Sequence, residues 1–206
     1  MLLKVCGLRE LENVNAIAAI KPQWMGFIFS PASPRYFYEA ENPAAITDIP
    51  NETDKVGVFV NEDEKHILNI YMQHQLDYVQ LHGHESVEDC KSLFEKGIRL
   101  IKAFGVNDGF DFSITEDYAP YVSFFLFDTA GKSAGGNGIQ FNHGLLEGKR
   151  FAKPFLLSGG IGPDDALLVT NFRHPDMIGV DVNSRFEISP GLKNTEALKL
   201  FKEQIS

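Results

Sequence analysis

The chain has very little cysteine: two residues in 206, Cys6 and Cys90, which is too few for a disulfide-built scaffold and fits a compartment that keeps thiols reduced. It is also short of positive charge. Lys and Arg number 19 against 28 Asp and Glu, a formal charge of −9, so no basic face is expected for the phosphates of a nucleic-acid duplex. Long apolar runs are missing as well. The longest, around Trp24–Phe29 and Phe124–Phe127, fall far short of the roughly 20 residues that cross a bilayer. The start of the chain enters a strand pattern at once, with no basic stretch leading to an apolar core and a small-residue cleavage site, so a secretory signal is not expected and a cytoplasmic protein is. No Ser/Pro linker or shift in composition divides the chain, so residues 1–206 are expected to form one domain.

What is present is a repeated alternation. Short runs rich in β-branched and aromatic residues, apolar on both faces, stand at Leu2–Cys6, Trp24–Phe29, Lys55–Val60, Tyr78–Leu81, Arg99–Phe104, Ser123–Phe127, Pro154–Leu157 and Met177–Val182. Strands that are covered by helices on both faces read this way. Their starts lie 21 to 31 residues apart, enough chain for a strand, a loop and a short helix. Between them, helices are expected over Arg9–Ile20, Glu62–Gln75 with Asn61 as its cap, Glu85–Lys96, Asp111–Tyr118, Asn142–Glu147, Pro163–Asn171 and Asn194–Ile205, and more weakly over Glu41–Ile49, which Pro43 interrupts. In the second of these Ile67, Leu68, Ile70, Tyr71 and Met72 supply the apolar face, and in the third Val87, Leu93 and Phe94. Eight such units predict an α/β fold, a near-minimal (β/α)8 TIM barrel; an open doubly wound sheet is the competing arrangement.

A barrel places its chemistry where the strands end. After the eight runs come Cys6-Gly7, Ser30 with Arg35 beyond, Asn61, His82-Gly83, Gly105, Asp128, Ser158-Gly159-Gly160, and Asp181 with Asn183-Ser184. Alternation along a strand puts Lys4 on the same face as Cys6, Leu126 and Phe124 with Asp128, and Gly179 with Asp181. Ser158-Gly159-Gly160-Ile161 leads into a helix, and glycines there let backbone N–H groups close on an anion, with Asn183-Ser184-Arg185 as the second wall. A Gly-Gly pair alone is more often a tight turn. Its place after the seventh strand of eight favours a phosphate site.

Several motifs then stand in a telling order: Lys4-Val5-Cys6-Gly7, Gly26-Phe27-Ile28-Phe29 followed by Ser33-Pro34-Arg35, Val56-Gly57-Val58-Phe59-Val60-Asn61, Val79-Gln80-Leu81-His82-Gly83, Asp128, Gly135-Gly136-Asn137-Gly138-Ile139-Gln140-Phe141, Ser158-Gly159-Gly160-Ile161, Gly179-Val180-Asp181-Val182-Asn183-Ser184 and Pro190-Gly191-Leu192-Lys193. Over essentially its whole length the chain resembles the phosphoribosylanthranilate isomerases, small barrel enzymes of tryptophan biosynthesis. The resemblance implies an Amadori rearrangement of a small phosphosugar substrate without metal or organic cofactor. It also implies Cys6 as the base and Asp128 as the acid, with Arg35, His82 and Asp181 on the substrate, Arg35 against its carboxylate and Asp181 on sugar hydroxyls. The phosphate falls to Gly159, Gly160, Asn183 and Ser184, and the protein is expected to be a monomer or homodimer.

The roles carry electrostatic demands. A free Cys has a pKa near 8.5 and a free Asp near 3.9, the wrong forms for a base and an acid at neutral pH. Lys4 is the candidate cation that favours the Cys6 thiolate, with simple pairing to a carboxylate in the barrel floor as the plainer alternative. Cys90 reads as structural. His82-Gly83-His84 flanks a turn with no set of carboxylates, so no metal is expected there. One departure from the family pattern is Arg185 where Gly is usual, which raises the question of whether the loop needs a positive φ; Asn137 stands where Thr is common. Two neighbouring readings are the histidine-pathway aminoaldose isomerase, which Cys6 and the single Arg35 loop oppose, and a non-catalytic phosphosugar-binding barrel, which Cys6 together with Asp128 opposes.

Overall fold

All eight apolar runs form parallel strands: β1 (Leu2–Val5), β2 (Trp24–Ile28), β3 (Asp54–Phe59), β4 (Tyr78–Leu81), β5 (Leu100–Val106), β6 (Phe124–Thr129), β7 (Phe155–Leu157) and β8 (Met177–Val182). The computed structural model describes residues 1–37, 46, 49–130 and 142–206. Each strand pairs with the next in chain order. β1 then meets β8, Leu2 facing Gly179, Lys4 facing Asp181 and Val5 facing Val182, which closes the ring and excludes the open sheet.

Alternation of side chains sorts the apolar residues into two clusters. Leu3, Val5, Phe27, Phe125, Phe127 and Val180 point outward into the layer between strands and helices, whereas Cys6, Trp24, Val56, Val58, Ile101, Leu126 and Leu156 fill the inside of the ring. Trp24, Tyr78 and Phe124, the first residues of β2, β4 and β6, pack with ring centroids 5.0 to 5.8 Å apart and plug the floor. Contributions from alternate strands are how such barrels fill their interior layers. The open end is therefore at the other mouth.

The helices among the described residues are α1 (Leu11–Ile20), α2 (Glu64–Gln73), α3 (Val87–Glu95), α4 (Thr115–Tyr118), α5 (Ala166–Asn171) and α6 (Thr195–Ile205). The region expected to be helical at 142–147 is a 3-10 turn, His143–Leu146; residues 41–45, 47 and 48 of the weak helix lie outside the described residues, as does the 135–141 motif with Asn137. Asn61 does not cap α2. Asp63 does, its carboxylate accepting from the His66 N–H, while Asn61 sits at φ 52° and accepts from the His84 N–H. Likewise α3 starts two residues later than expected, with Ser86 and Asp89 forming a capping box and Glu85 turned inward. Its inward stripe is Cys90 and Leu93, so Phe94 is half exposed and packs edge-on against Tyr121; on α2, Ile67 and Ile70 are buried and Met72 is exposed. After β8 the chain adds a two-stranded antiparallel piece that the strand pattern did not announce, β9 (Glu187–Ser189) and β10 (Leu192–Lys193). No helix among the described residues is long and apolar enough to cross a membrane.

Candidate active site

The open mouth holds a cavity of about 560 Å³, and all nine candidate residues line it: Cys6, Arg35, His82, Asp128, Gly159, Gly160, Asp181, Asn183 and Ser184 on their separate strands and loops, except that no side chain is available from the two glycines. The topology puts Cys6 after β1 and Asp128 near the end of β6, three strands apart around an eight-strand ring, so the two face the cavity from different sides.

Cys6 continues the β1–β8 ladder, its N–H donating to the Val182 carbonyl at 2.9 Å. Gly26 on β2 makes room for it. A Cβ there would lie 2.9 Å from Cys6 Sγ and 3.2 Å from Lys4 Nζ, so the neighbouring strand must carry no side chain at this point. Below Cys6, the fully buried Lys4 ammonium donates to Asp181 Oδ1 at 2.8 Å. The plainer expectation for Lys4, pairing with a carboxylate in the barrel floor, is what the geometry shows, and the same charge also draws on Cys6. Burial alone would strip Lys4 of its proton, but Asp181 and Cys6 together hold its pKa above the ordinary value. The expectation of a lowered thiol pKa is corrected. Burial pushes Cys6 up, Lys4 draws it back, Asp181 pushes again, Lys193 draws back, and the sum stays above the usual value. The ammonium gives its 2.8 Å contact to Asp181, and the thiol feels only what remains of its charge.

Asp128 Oδ1 accepts its neighbour's N–H, Thr129, at 2.8 Å, and Oδ2 meets His82 Nε2 at 3.2 Å. The Gln80 amide nitrogen, two residues before His82 on β4, lies 2.7 Å from His82 Nδ1. With that nitrogen donating, the neutral ring carries its proton on Nε2 and gives it to Asp128. His82, expected on the substrate, is thus bound to the candidate acid. Asp181, expected on sugar hydroxyls, spends one oxygen on Lys4 and turns the other toward Ser158 Oγ at 3.5 Å.

The Gly159-Gly160 loop has the backbone that an anion site needs. Both residues sit at positive φ, 91° and 67°, and a Cβ on Gly159 would run into the Thr129 hydroxyl. The loop enters a 3-10 turn, Pro163–Asp165, and then α5, which has only six residues, so the backbone amides count for more than a helix dipole. Across from it, Ser184–Phe186 is a 3-10 turn and Arg185 is absent from the residues at positive φ, which answers the question raised by its replacing Gly. Its side chain crosses Gly162 and lines the cavity, joining the loop after β7 to the loop after β8. Asn183, expected on phosphate, has its Oδ1 taken by Lys193 Nζ at 2.6 Å.

Four charged residues of the site, Glu187, Lys193, Lys102 and Glu85, were not anticipated in these roles. Arg35 does face the cavity, but its Nε and Nη2 are clamped to Glu187, and Lys193 bonds the same carboxylate at 2.6 Å. Lys102, buried on β5, binds Glu85 at 2.9 Å behind His82. Two faint signals existed: a lysine directly after Pro190-Gly191-Leu192, and a lysine inside the apolar run of β5.

Against proteins already described, residues 3–204 match the family model for N-(5'phosphoribosyl)anthranilate (PRA) isomerase. An N-(5'-phosphoribosyl)anthranilate isomerase of Parabacteroides distasonis is 45% identical over 206 residues, covering 100% of this chain and 93% of that protein. The phosphoribosyl anthranilate isomerase of Thermotoga maritima superposes with a TM-score of 0.88 at 31% identity, covering 100% and 98% of the two chains. A phosphoribosyl anthranilate isomerase solved with reduced 1-(o-carboxyphenylamino)-1-deoxyribulose 5-phosphate does so with a TM-score of 0.83 at 30% identity, again over 100% and 98%. With the barrel, the ordered motifs and a match along nearly its whole length in agreement, this chain belongs to the N-(5'-phosphoribosyl)anthranilate isomerase family.

Proposed function

We propose that the protein isomerises N-(5'-phosphoribosyl)anthranilate to 1-(2-carboxyphenylamino)-1-deoxyribulose 5-phosphate, the Amadori step of tryptophan biosynthesis, with Cys6 as base and Asp128 as acid. One observation carries the assignment: a thiol and a carboxylate face one cavity from well-separated strands, with the Gly159-Gly160 loop on its rim.

The sequence of proton moves balances without an added redox partner. Asp128, protonated, donates to the furanose ring oxygen as the C1–O bond breaks and the nitrogen lone pair forms the C=N of a Schiff base. Cys6 removes the C2 proton in its thiolate form, which burial disfavours and the Lys4 charge favours, and the electron pair moves toward nitrogen to give an enolamine. Tautomerisation adds a proton at C1 and removes one from the C2 oxygen. Substrate and product are isomers, and both side chains return to their starting forms. His82 donates to Asp128 and fixes the direction of its carboxyl, while Arg35 receives the anthranilate carboxylate and the two loops receive phosphate. A net charge of −9 opposes a ligand that carries both a phosphate and a carboxylate, so selection rests on these local groups and not on the overall field. The same proposal makes the chain a cytoplasmic single-domain enzyme, monomer or homodimer, that engages no nucleic acid or membrane.

The test is fluorescence loss of phosphoribosylanthranilate with the parent, Cys6→Ala and Asp128→Asn. Each variant should fall by about 10²–10⁴-fold or more in kcat. A folded parent without turnover would sink the activity, and equal rates in all three would remove the mechanism.

A further inference from the structure

The Glu187 carboxylate is nearly saturated. Oε1 accepts from Arg35 Nε at 2.8 Å, Lys193 Nζ at 2.6 Å and the Gly191 N–H at 3.1 Å, and Oε2 accepts from Arg35 Nη2 at 2.7 Å. Glu187 and Arg35 stand 152 residues apart in sequence, and only 5% of the Glu187 side chain is exposed. The clamp takes one edge of the guanidinium, Nε and Nη2, and among the described residues none hydrogen-bonds Nη1 on the other. From this we infer that Glu187 is a positioning residue, which locks Arg35 so that the remaining edge meets the ring carboxylate of the substrate. The inference rests on the proposed role of Arg35.

Two features make the lock specific. Arg35 and Lys193 set two cationic side chains against the one Glu187 carboxylate; burial draws the Lys193 ammonium's pKa down and Glu187 pulls it back, so while Lys193 holds its proton the cluster keeps one positive charge for an incoming carboxylate. A guanidinium held along one edge also loses little rotamer freedom when the ligand arrives. Burial alone would raise the Glu187 carboxyl, but the Arg35 hydrogen bonds and the Lys193 charge bring it below its ordinary value, which keeps the clamp ionised.

The experiment compares, by calorimetric titration, reduced 1-(o-carboxyphenylamino)-1-deoxyribulose 5-phosphate with its phenylamino counterpart that lacks the carboxylate. In the parent the carboxylate should tighten binding by roughly ten- to a hundredfold, the factor a charge-assisted bond commands. In Glu187→Gln that advantage should shrink to about threefold or less, with KM rising more than kcat falls. Glu187→Asp, which keeps the charge but draws it back by one methylene, should lie between, and it decides the matter if the Gln variant does not fold. A folded Glu187→Gln or Glu187→Asp that keeps the parental ratio overturns the positioning role. Arg35→Met that keeps the parental ratio overturns the Arg35 assignment beneath it, and so separates the two failures.

Discussion

Lys4 and Asp181 occupy facing positions on β1 and β8, and their side chains meet at 2.8 Å inside a closed ring that buries both. That pair joins the fold to the chemistry. Replacing Lys4 with Met strands the Asp181 carboxylate without its cation, and breaking a buried pair from one side costs about 3–5 kcal/mol. The same change removes the strongest charge that draws the Cys6 thiol down, so the thiol rises further. Urea unfolding should therefore show a lower midpoint, and the pH dependence of Cys6 alkylation should move to higher pH. An alkylation midpoint that stays put would show that Lys4 is a strut and nothing more.

Gly26 is the second residue whose role lies in what it leaves out. Gly26→Ala puts a methyl 2.9 Å from Cys6 Sγ and 3.1 Å from Cys6 Cα, a distance real side chains do not tolerate. The barrel must spread or the thiol must turn. Overpacking of this kind costs about 1–3 kcal/mol, and displacing a reacting atom costs about ten- to a hundredfold in kcat. Steady-state rates at a temperature where the variant is fully folded should show the kinetic loss by itself; an unchanged kcat would mean that Sγ has room elsewhere.

These contacts also explain what could be read in the chain beforehand. The eight strands were legible because each is apolar on both faces, and because the inward parity of Lys4 and Cys6 follows from alternation alone. The helix starts at Asp63 and Ser86 were missed by one or two positions, since Asn61 and Glu85 look like starting residues while their side chains are used to hold the β4 loop. The pairings Arg35 with Glu187, Lys193 with Asn183 and Lys102 with Glu85 join residues 10 to 152 positions apart, and no local periodicity encodes such partners. The place of Cys6 at the open mouth was legible, but not the direction of its pKa, which depends on burial set by the whole ring.

Lys102 and Glu85 form the support behind His82. The ammonium meets the carbonyls of Leu81, Gly83 and Ala103 as well as Glu85, and Glu85 in turn accepts from the Asn61 and Gly83 N–H groups. The loop that follows His82 is thereby tied to β3 and β5. Lys102→Met should destabilise the protein by about 3–5 kcal/mol and lower kcat, because His82 loses its fixed approach to Asp128. If that route is right, the kinetic penalty should be much smaller in an Asp128→Asn background. A double-mutant cycle on kcat checks it, and fully additive losses would place the effect of Lys102 elsewhere.

Cys90 gives the protein a limit on the alkaline side that has no link to turnover. Its thiol is buried on α3 away from the cavity, and burial, only partly countered by Lys102, pushes its pKa up to about 12. In the unfolded chain the thiol titrates near 8.5. The folded pKa is the higher one, so between these values the unfolded state loses a proton that the folded state keeps, and stability falls as pH rises. Each pH unit in that window costs about 1.4 kcal/mol, or about 2 kcal/mol for this thiol by pH 10. Cys90→Ala lowers stability at pH 8 by leaving space in the core, but its further loss between pH 8 and pH 10 should be smaller than the parent's by that amount. Urea midpoints at the two pH values measure the difference. Cys6 contributes a loss of the same sign to both proteins and cancels, so equal slopes in parent and variant would mean that Cys90 gives up its proton in the folded barrel as readily as in the open chain.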